Sequence, residues 1–185
     1  MVDELKIDPA LESGQDDGPS PDRLAQFELA RKLLKEQSLV GAILAGTVAA
    51  IAGAIAWGAL AHGIGASYSI FGIGVGVLVG WGVREFGRGI ENLYPMIAIV
   101  LAIFGCIAGN FAVTVIDALA YGETIAELLA SLTWEVFLGY LKYSLGFLDV
   151  LAWAVAAFCA GWLSKRHLDT EEALAVYAYR IHGPE

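Results

Sequence analysis

The chain has 185 residues, of which 57% are hydrophobic and 17% are charged. Soluble domains are typically about 45–50% apolar and about 25% charged, so this composition argues against a soluble globular protein. The formal net charge of −9 argues against nucleic-acid binding, which needs concentrated Lys and Arg. The apolar residues fall in blocks long enough to cross a lipid bilayer as helices, which takes about 20 residues. We therefore predict an integral membrane protein.

Residues 1–22 are predicted to form a disordered acidic tail. Seven carboxylate side chains and three prolines accompany a single lysine there, so the segment cannot bury enough apolar surface to fold alone. Residues 23–38 then show apolar residues at helical spacing between basic ones. This pattern predicts a cytoplasmic amphipathic helix that lies along the membrane surface. A simple extension of the first membrane helix is the alternative.

Four apolar blocks predict an all-α, polytopic fold with a four-helix transmembrane domain at residues 39–165. The spans are predicted at about residues 39–60, 68–84, 95–116 and 145–163. The second span is short, but Arg84 can extend its side chain toward the interface.

Two further amphipathic segments flank the fourth span. Residues 123–142 place apolar side chains on one helical face between glutamates, which predicts a helix on the outer membrane face. Residues 166–185 are predicted to be a cytoplasmic helix and tail. Its apolar residues Leu174, Tyr177 and Ile181 recur at helical spacing, so we expect this helix to dock on another surface.

Basic residues near the span ends predict the orientation. They form three clusters: Arg31, Lys32 and Lys35; Arg84 and Arg88; Lys165 and Arg166. Cytoplasmic loops are enriched in Lys and Arg, and four spans place all three clusters on one side. Both termini are therefore predicted to be cytoplasmic.

The stretch FGIGVGVLVGWGVREFGRGI, residues 71–90, contains seven glycines. A dinucleotide-binding loop needs a preceding strand in a βαβ unit, and an apolar span does not provide one. Gly72, Gly76 and Gly80 instead recur every four residues, like a glycine zipper, and Gly105 and Gly109 repeat the spacing in the third span. Small residues let helices approach closely in lipid. These glycines therefore predict helix packing within the chain or oligomerisation, and the pattern leaves both open.

Polar residues follow one face of the third predicted span. Cys106, Asn110, Thr114 and Asp117 lie three or four positions apart, and Asp149 lies near the outer end of the fourth span. Polar groups at membrane depth often serve function, so these five residues form a candidate polar path for an ion or proton. Hydrogen bonds between helices and contacts with interfacial water are the alternative.

Arg84 and Arg88 lie in a glycine-rich cytoplasmic corner that is a candidate contact for a lipid phosphate. Anchoring of the spans on the positive side of the membrane accounts equally well for both arginines.

The sequence predicts no catalytic residue, cofactor or metal site. Cys106 and Cys159 lie in separate apolar blocks without C-x-x-C spacing. His62 is expected in the outer turn, while His167 and His182 fall in the cytoplasmic tail. No G-x-S-x-G nucleophile motif is present. We therefore do not expect an enzyme.

The segments VGWGVREFGRGI and YPMIAIVLAIFGCIAGN resemble a recurrent bacterial inner-membrane domain without an assigned activity. That domain has a glycine-rich span, a V-R…G-x-G cytoplasmic corner and a span ending in G-C-x-x-G-N, and the resemblance covers about residues 68–165. It implies a bacterial inner (plasma) membrane and the four-span arrangement, and it implies no chemistry.

These patterns together predict an interaction or scaffold protein in the lipid bilayer. It would act as a subunit with other membrane proteins or as a homo-oligomer joined through its glycine faces. A small channel or transporter that uses the polar path is the competing hypothesis.

Overall fold

A computed structural model describes residues 21–65, 69–131, 133–144 and 146–182. All regular elements in these ranges are α-helices. In chain order they are α1 (Pro21–Lys35), α2 (Leu39–Ile64), α3 (Phe71–Gly87), α4 (Leu93–Ala120), α5 (Ile125–Ser131), α6 (Trp134–Ser144), α7 (Phe147–Leu163) and α8 (Thr170–His182). The predicted acidic tail, residues 1–22, lies almost wholly outside the described residues. The chain forms two compact units, one containing α1 and α8 and the other containing α2 to α7.

Two helices, α2 and α4, are long and apolar enough to cross a membrane. Only 28% and 33% of their most apolar windows are buried, whereas the core helix of a soluble protein is mostly buried. The helices α3 and α7 have 17 residues each, and α7 is also apolar. Each of the four predicted spans thus corresponds to a helix, although the bounds differ by a few residues.

In the larger unit, α2 and α4 run in parallel at a fixed register. Gly46 contacts Leu101, and Gly105 contacts Ala50. Near the end of both helices the His62 side chain meets Asp117. The two residues lie 55 positions apart in the sequence, the same separation as in the two glycine contacts. The same offset of 55 residues thus recurs from the middle of the α2–α4 contact to its end.

The pair α3 and α7 is also parallel. Gly76 contacts Ala156 and Gly80 contacts Ala160, and Ser69, just before α3, bonds to Asp149, 80 residues away. The helices α3 and α4 also contact each other. They occupy the middle of the unit, with α2 and α7 packed on both of them.

The core of this unit consists mainly of small side chains. Its fully or nearly fully buried members include Ala42, Ala50, Ala98, Ala102, Ala156, Ala160, Val75, Val79 and Val83. Trp57 is the largest fully buried side chain. Because alanine and glycine add so little bulk, the helices approach one another closely along most of their length.

The predicted outer-face helix at residues 123–142 is two shorter helices, α5 and α6. Thr133 starts the second one, since its carbonyl accepts a hydrogen bond from the Phe137 N–H at 2.9 Å and its hydroxyl accepts one from the Val136 N–H. At the end of α5 the Ser131 hydroxyl donates to the Leu128 carbonyl. Hydroxyl side chains that bond to nearby backbone groups compete with helix continuation, which accounts for the break.

The smaller unit consists of α1 packed against α8. The rings of Phe27 and Tyr179 meet edge to face, with centroids 5.8 Å apart. In α8 the buried side chains are Ala175 and Val176. The residues predicted to dock on another surface, Leu174, Tyr177 and Ile181, are exposed, so their docking stays a prediction.

We predict that α5 loses helicity in acid. The Thr124 N–H and hydroxyl both donate to Glu127 Oε2 at 2.8 Å, and these bonds lower the pKa of Glu127. A carboxyl group whose pKa is lower in the folded state stabilises that state above its unfolded pKa, about 4.3 for Glu. This contribution is lost as pH falls through the folded value. Backbone NMR shifts of residues 125–131 should therefore move toward random-coil values below about pH 4.

The Glu127→Gln variant keeps an acceptor oxygen but cannot titrate. We expect its α5 shifts to be independent of pH across the same range. An identical acid transition in this variant would contradict the assignment to Glu127.

Candidate functional site

The glycines of α3 bring its backbone against the backbone of α7. A Cβ atom built on Gly76 would lie 2.7 Å from Ala156 Cα, and one on Gly80 would lie 2.9 Å from Ala160 Cα. Real Cβ atoms essentially never come so close to another backbone. The Gly76–Gly80 face of α3 is therefore fully used by α7.

Gly72, Gly105 and Gly109 also face helices of the same chain. A Cβ on Gly109 would lie 2.9 Å from Trp57 Cζ3, and one on Gly72 would lie 3.4 Å from the same ring atom. The indole thus packs on two glycines from α3 and α4, while Gly105 contacts α2 as described above. All five predicted packing glycines are buried within the chain.

Two polar pairs connect the helices at one end of the larger unit. His62 Nδ1 lies 2.8 Å from Asp117 Oδ1, and both side chains are 46% exposed. The Ser69 hydroxyl donates to the Asp149 carboxylate, whose other oxygen accepts the Gly146 N–H at 2.8 Å. We call this region the His62 end, defined by His62, Ser69, Asp117 and Asp149. Each pair fixes one of the two parallel helix pairs.

The residues of the predicted polar path occupy different environments. Cys106 is fully buried, and its thiol donates to the Gly72 carbonyl at 3.7 Å. Asn110 is also buried, whereas Thr114 is exposed and Asp117 is paired with His62. Asp149 bonds to Ser69 and lies on another helix pair. The polar path of the five residues therefore stays a prediction.

Sequence reasoning missed the partner of Asp117. The first span was predicted to end at residue 60, which places His62 in a turn, but α2 continues to Ile64. The four-residue spacing of Gly46 and Ala50 matches that of Leu101 and Gly105. Extending this register by about three helical turns leads from Ala50 and Gly105 to His62 and Asp117. The spacing is present in the sequence, but the pairing of α2 with α4 that gives it meaning comes from the structure.

The opposite end of the unit contains the predicted basic corner. Arg88 ends α3 with a left-handed backbone, φ 47°. Gly87 and Gly89 on either side of it lie against the buried ring of Tyr94. A Cβ on Gly87 would lie 3.1 Å from Tyr94 Cδ1, and one on Gly89 would overlap the ring. The glycines of this corner therefore make room for a tyrosine.

A pocket of about 410 Å³ opens beside this corner. Its lining consists of Glu36, Arg84, Glu85, Arg88, Arg166 and His167, all of them ionisable, and we call it the Arg84 pocket. Glu36 Oε2 accepts from Arg166 Nη1 at 3.0 Å and lies 3.9 Å from Arg88 Nη1. Sequence reasoning identified Arg84 and Arg88 but did not connect them with Glu36 or Arg166, because these residues lie far apart in the chain.

Within the described ranges, no three His, Cys, Asp or Glu side chains are placed to hold a metal ion. Cys106 and Cys159 are free thiols there.

No protein-family model, curated protein or solved structure matches this chain. The resemblance to a bacterial inner-membrane domain therefore stays a prediction.

We predict that Gly76→Ala destabilises the fold. Its new methyl group would force α7 away from α3, and overpacking of this kind typically costs about 1–3 kcal/mol. Gly74→Ala is the matched control, because a Cβ there meets nothing within 4 Å. The free energy of unfolding, from denaturant titration in detergent micelles, should fall for Gly76→Ala only. Equal stability of the two variants would contradict the α3–α7 contact.

Proposed function

We propose that this chain is an integral membrane interaction protein of the bacterial inner membrane, without enzymatic activity of its own. In this proposal α2, α3, α4 and α7 each cross the bilayer. The length and the exposed apolar surface of α2 and α4 support it. The 17 residues of α3 and α7 reach the lower limit for a transmembrane helix, and each packs alongside the two longer helices.

Charge supports an orientation with both termini in the cytoplasm. Arg84, Arg88, Lys165 and Arg166 all belong to the end opposite the His62 end, whereas Lys142 is the single basic residue between α4 and α7. Lys and Arg are enriched on the cytoplasmic side of membrane proteins. The α1–α8 unit is then cytoplasmic, because α1 precedes the start of α2 and α8 follows the end of α7.

An apolar groove between α2 and α3 is the observation that carries the interaction role. It has a volume of about 540 Å³. Small residues at helical spacing line its α2 side: Gly41, Ala45, Ala49 and Ala52. The large side chains Val48, Leu78, Trp81 and Phe86 border it and are exposed. Small residues flanked by large ones allow another helix to approach closely in lipid.

We assign this groove to a helix of a second copy of the chain. The five predicted packing glycines are used within the protomer, so self-association requires another small-residue surface, and α2 supplies one. A helix from a different membrane subunit would use the same surface, and the mass of the assembly distinguishes the two partners.

We predict that Ala52→Leu weakens self-association. Ala52 is exposed and lines the groove, so a leucine there fills the space without disturbing the core. The dimer dissociation constant should rise by about tenfold or more, which corresponds to about 1.4 kcal/mol. Ala59→Leu is the control, since Ala59 is exposed on the same helix outside the groove.

Native mass spectrometry of protein extracted gently from its own membrane gives the readout. Homodimers that survive in Ala59→Leu but not in Ala52→Leu support the proposal. A monomer in all samples would contradict it, whereas a defined hetero-complex would replace the second copy by another subunit.

The competing channel or transporter role predicts a different outcome. Cys106 bonds to the Gly72 carbonyl of α3 and Asp117 pairs with His62 of α2, so we expect ion and proton flux into liposomes to be at background for the natural sequence. Asn110→Leu and Asp117→Asn should then change nothing in that assay. Flux above that of empty liposomes that falls in both variants would favour the channel.

A further inference from the structure

We propose that the Arg84 pocket binds a phosphate group, either the monoester headgroup of a lipid or free inorganic phosphate. Its three guanidinium groups come from two segments that lie far apart in the chain. Arg84 and Arg88 belong to the last turn of α3 and its cap, and Arg166 follows α7. Guanidinium groups bind phosphate oxygens through paired, charge-assisted hydrogen bonds.

The backbone around the pocket is fixed before any ligand binds. The Gly87 carbonyl accepts the Ser38 N–H at 2.9 Å, and the Gly89 carbonyl accepts the Arg166 N–H at 3.2 Å. The Ile90 N–H donates to Gln37 Oε1 at 3.1 Å. These bonds attach the corner to the start of α2 and to the segment after α7. Such preorganisation lowers the cost of binding.

The left-handed conformation of Arg88 adds to this argument. It is the one positive φ at a non-glycine residue among the residues that the structure describes. A bulky residue in this region carries strain, and such strain is common at binding sites. The Arg88 N–H still bonds to the Arg84 carbonyl at 3.0 Å, so the backbones that carry the two arginines are held in a fixed relation.

The charges of the pocket are unequally compensated. Glu36 pairs with Arg166 and lies close to Arg88. No ion pair is formed by Arg84 within the described part of the chain, although its side chain is partly buried. Three guanidinium groups against two carboxylates leave a positive excess, to which His167 adds when protonated. An incoming dianion would contact Arg84 and compete with Glu36 for the other two arginines.

The lipid source rests on the proposed function, whereas binding of free phosphate does not. If α3 crosses the bilayer, its last turn lies at the membrane–water boundary, where a lipid phosphate is within reach of Arg84. The pocket volume exceeds that of a phosphate group and leaves room for the ester substituent.

The test uses the whole 185-residue chain and two probes. Phosphatidic acid is offered in phosphatidylcholine nanodiscs, and its retention is measured by native mass spectrometry. Inorganic phosphate is titrated into the protein in zwitterionic detergent by calorimetry. Each probe is applied to the natural sequence and to three variants: Arg84→Gln, Glu36→Gln and Arg180→Gln.

We expect Arg84→Gln to weaken binding by about tenfold, the effect of losing one charge-assisted contact. Glu36→Gln should tighten binding severalfold, because it removes the competing carboxylate. Arg180→Gln removes the same charge from α8, outside the pocket lining, and should bind as the natural sequence does. Arg84→Gln and Glu36→Gln are thus expected to change the affinity in opposite directions. A loss of folding would weaken binding in both variants and is thereby distinguished from a direct effect on the pocket.

Each outcome has a direct meaning. If phosphatidic acid is retained but no binding of inorganic phosphate is detected, the pocket is a lipid headgroup site. If both probes bind, it is a general phosphate site. No binding of either probe, or equal losses in Arg84→Gln and Arg180→Gln, would overturn the proposal. Failure of nanodisc incorporation with phosphate binding intact would contradict the membrane function and leave the pocket in place.

Discussion

Direct backbone contact at small residues is the constraint on which the rest of this structure depends. Apolar side chains have little reason to leave lipid for one another, so close van der Waals contact must hold membrane helices together. In the proposed membrane setting, Gly76 and Gly80 against Ala156 and Ala160 provide that contact for α3 and α7. Such contacts tolerate little sliding, because neighbouring positions carry larger side chains. They therefore fix the register of each parallel pair.

The register then determines what meets at the helix ends. The 55-residue offset of α2 and α4 brings His62 to Asp117, and the 80-residue offset of α3 and α7 brings Ser69 to Asp149. The His62–Asp117 pair is about half-exposed, and exposed ion pairs contribute little stability. The Ser69–Asp149 pair is a single hydrogen bond. Their main effect is specificity, since a shift of either pair by one turn would leave a carboxylate without its partner.

Much of the fold was predictable because length and hydropathy are local properties. The four apolar blocks correspond to α2, α3, α4 and α7, and the spacing of Gly72, Gly76 and Gly80 indicated close packing. The partner of each glycine was not predictable, because periodicity shows which residues share a face but not what covers it. The break between α5 and α6 was missed for another reason. Apolar spacing continues across it, and the hydroxyl group of Thr133 decides the outcome.

The same distinction between local and long-range information applies to the candidate site. Arg84 and Arg88 were found because they are neighbours in sequence, whereas Glu36 and Arg166 join them only through folding. The two ends of the bundle consequently differ in chemistry. At the His62 end the carboxylates of Asp117 and Asp149 each have a hydrogen-bond partner, His62 and Ser69 respectively. At the other end the Glu36 carboxylate pairs with Arg166 and lies close to Arg88. Arg84 forms no ion pair with any residue that the structure describes. Under the two proposals, an incoming anion would find its complementary charge at the Arg84 pocket, and the apolar groove between α2 and α3 would receive another helix.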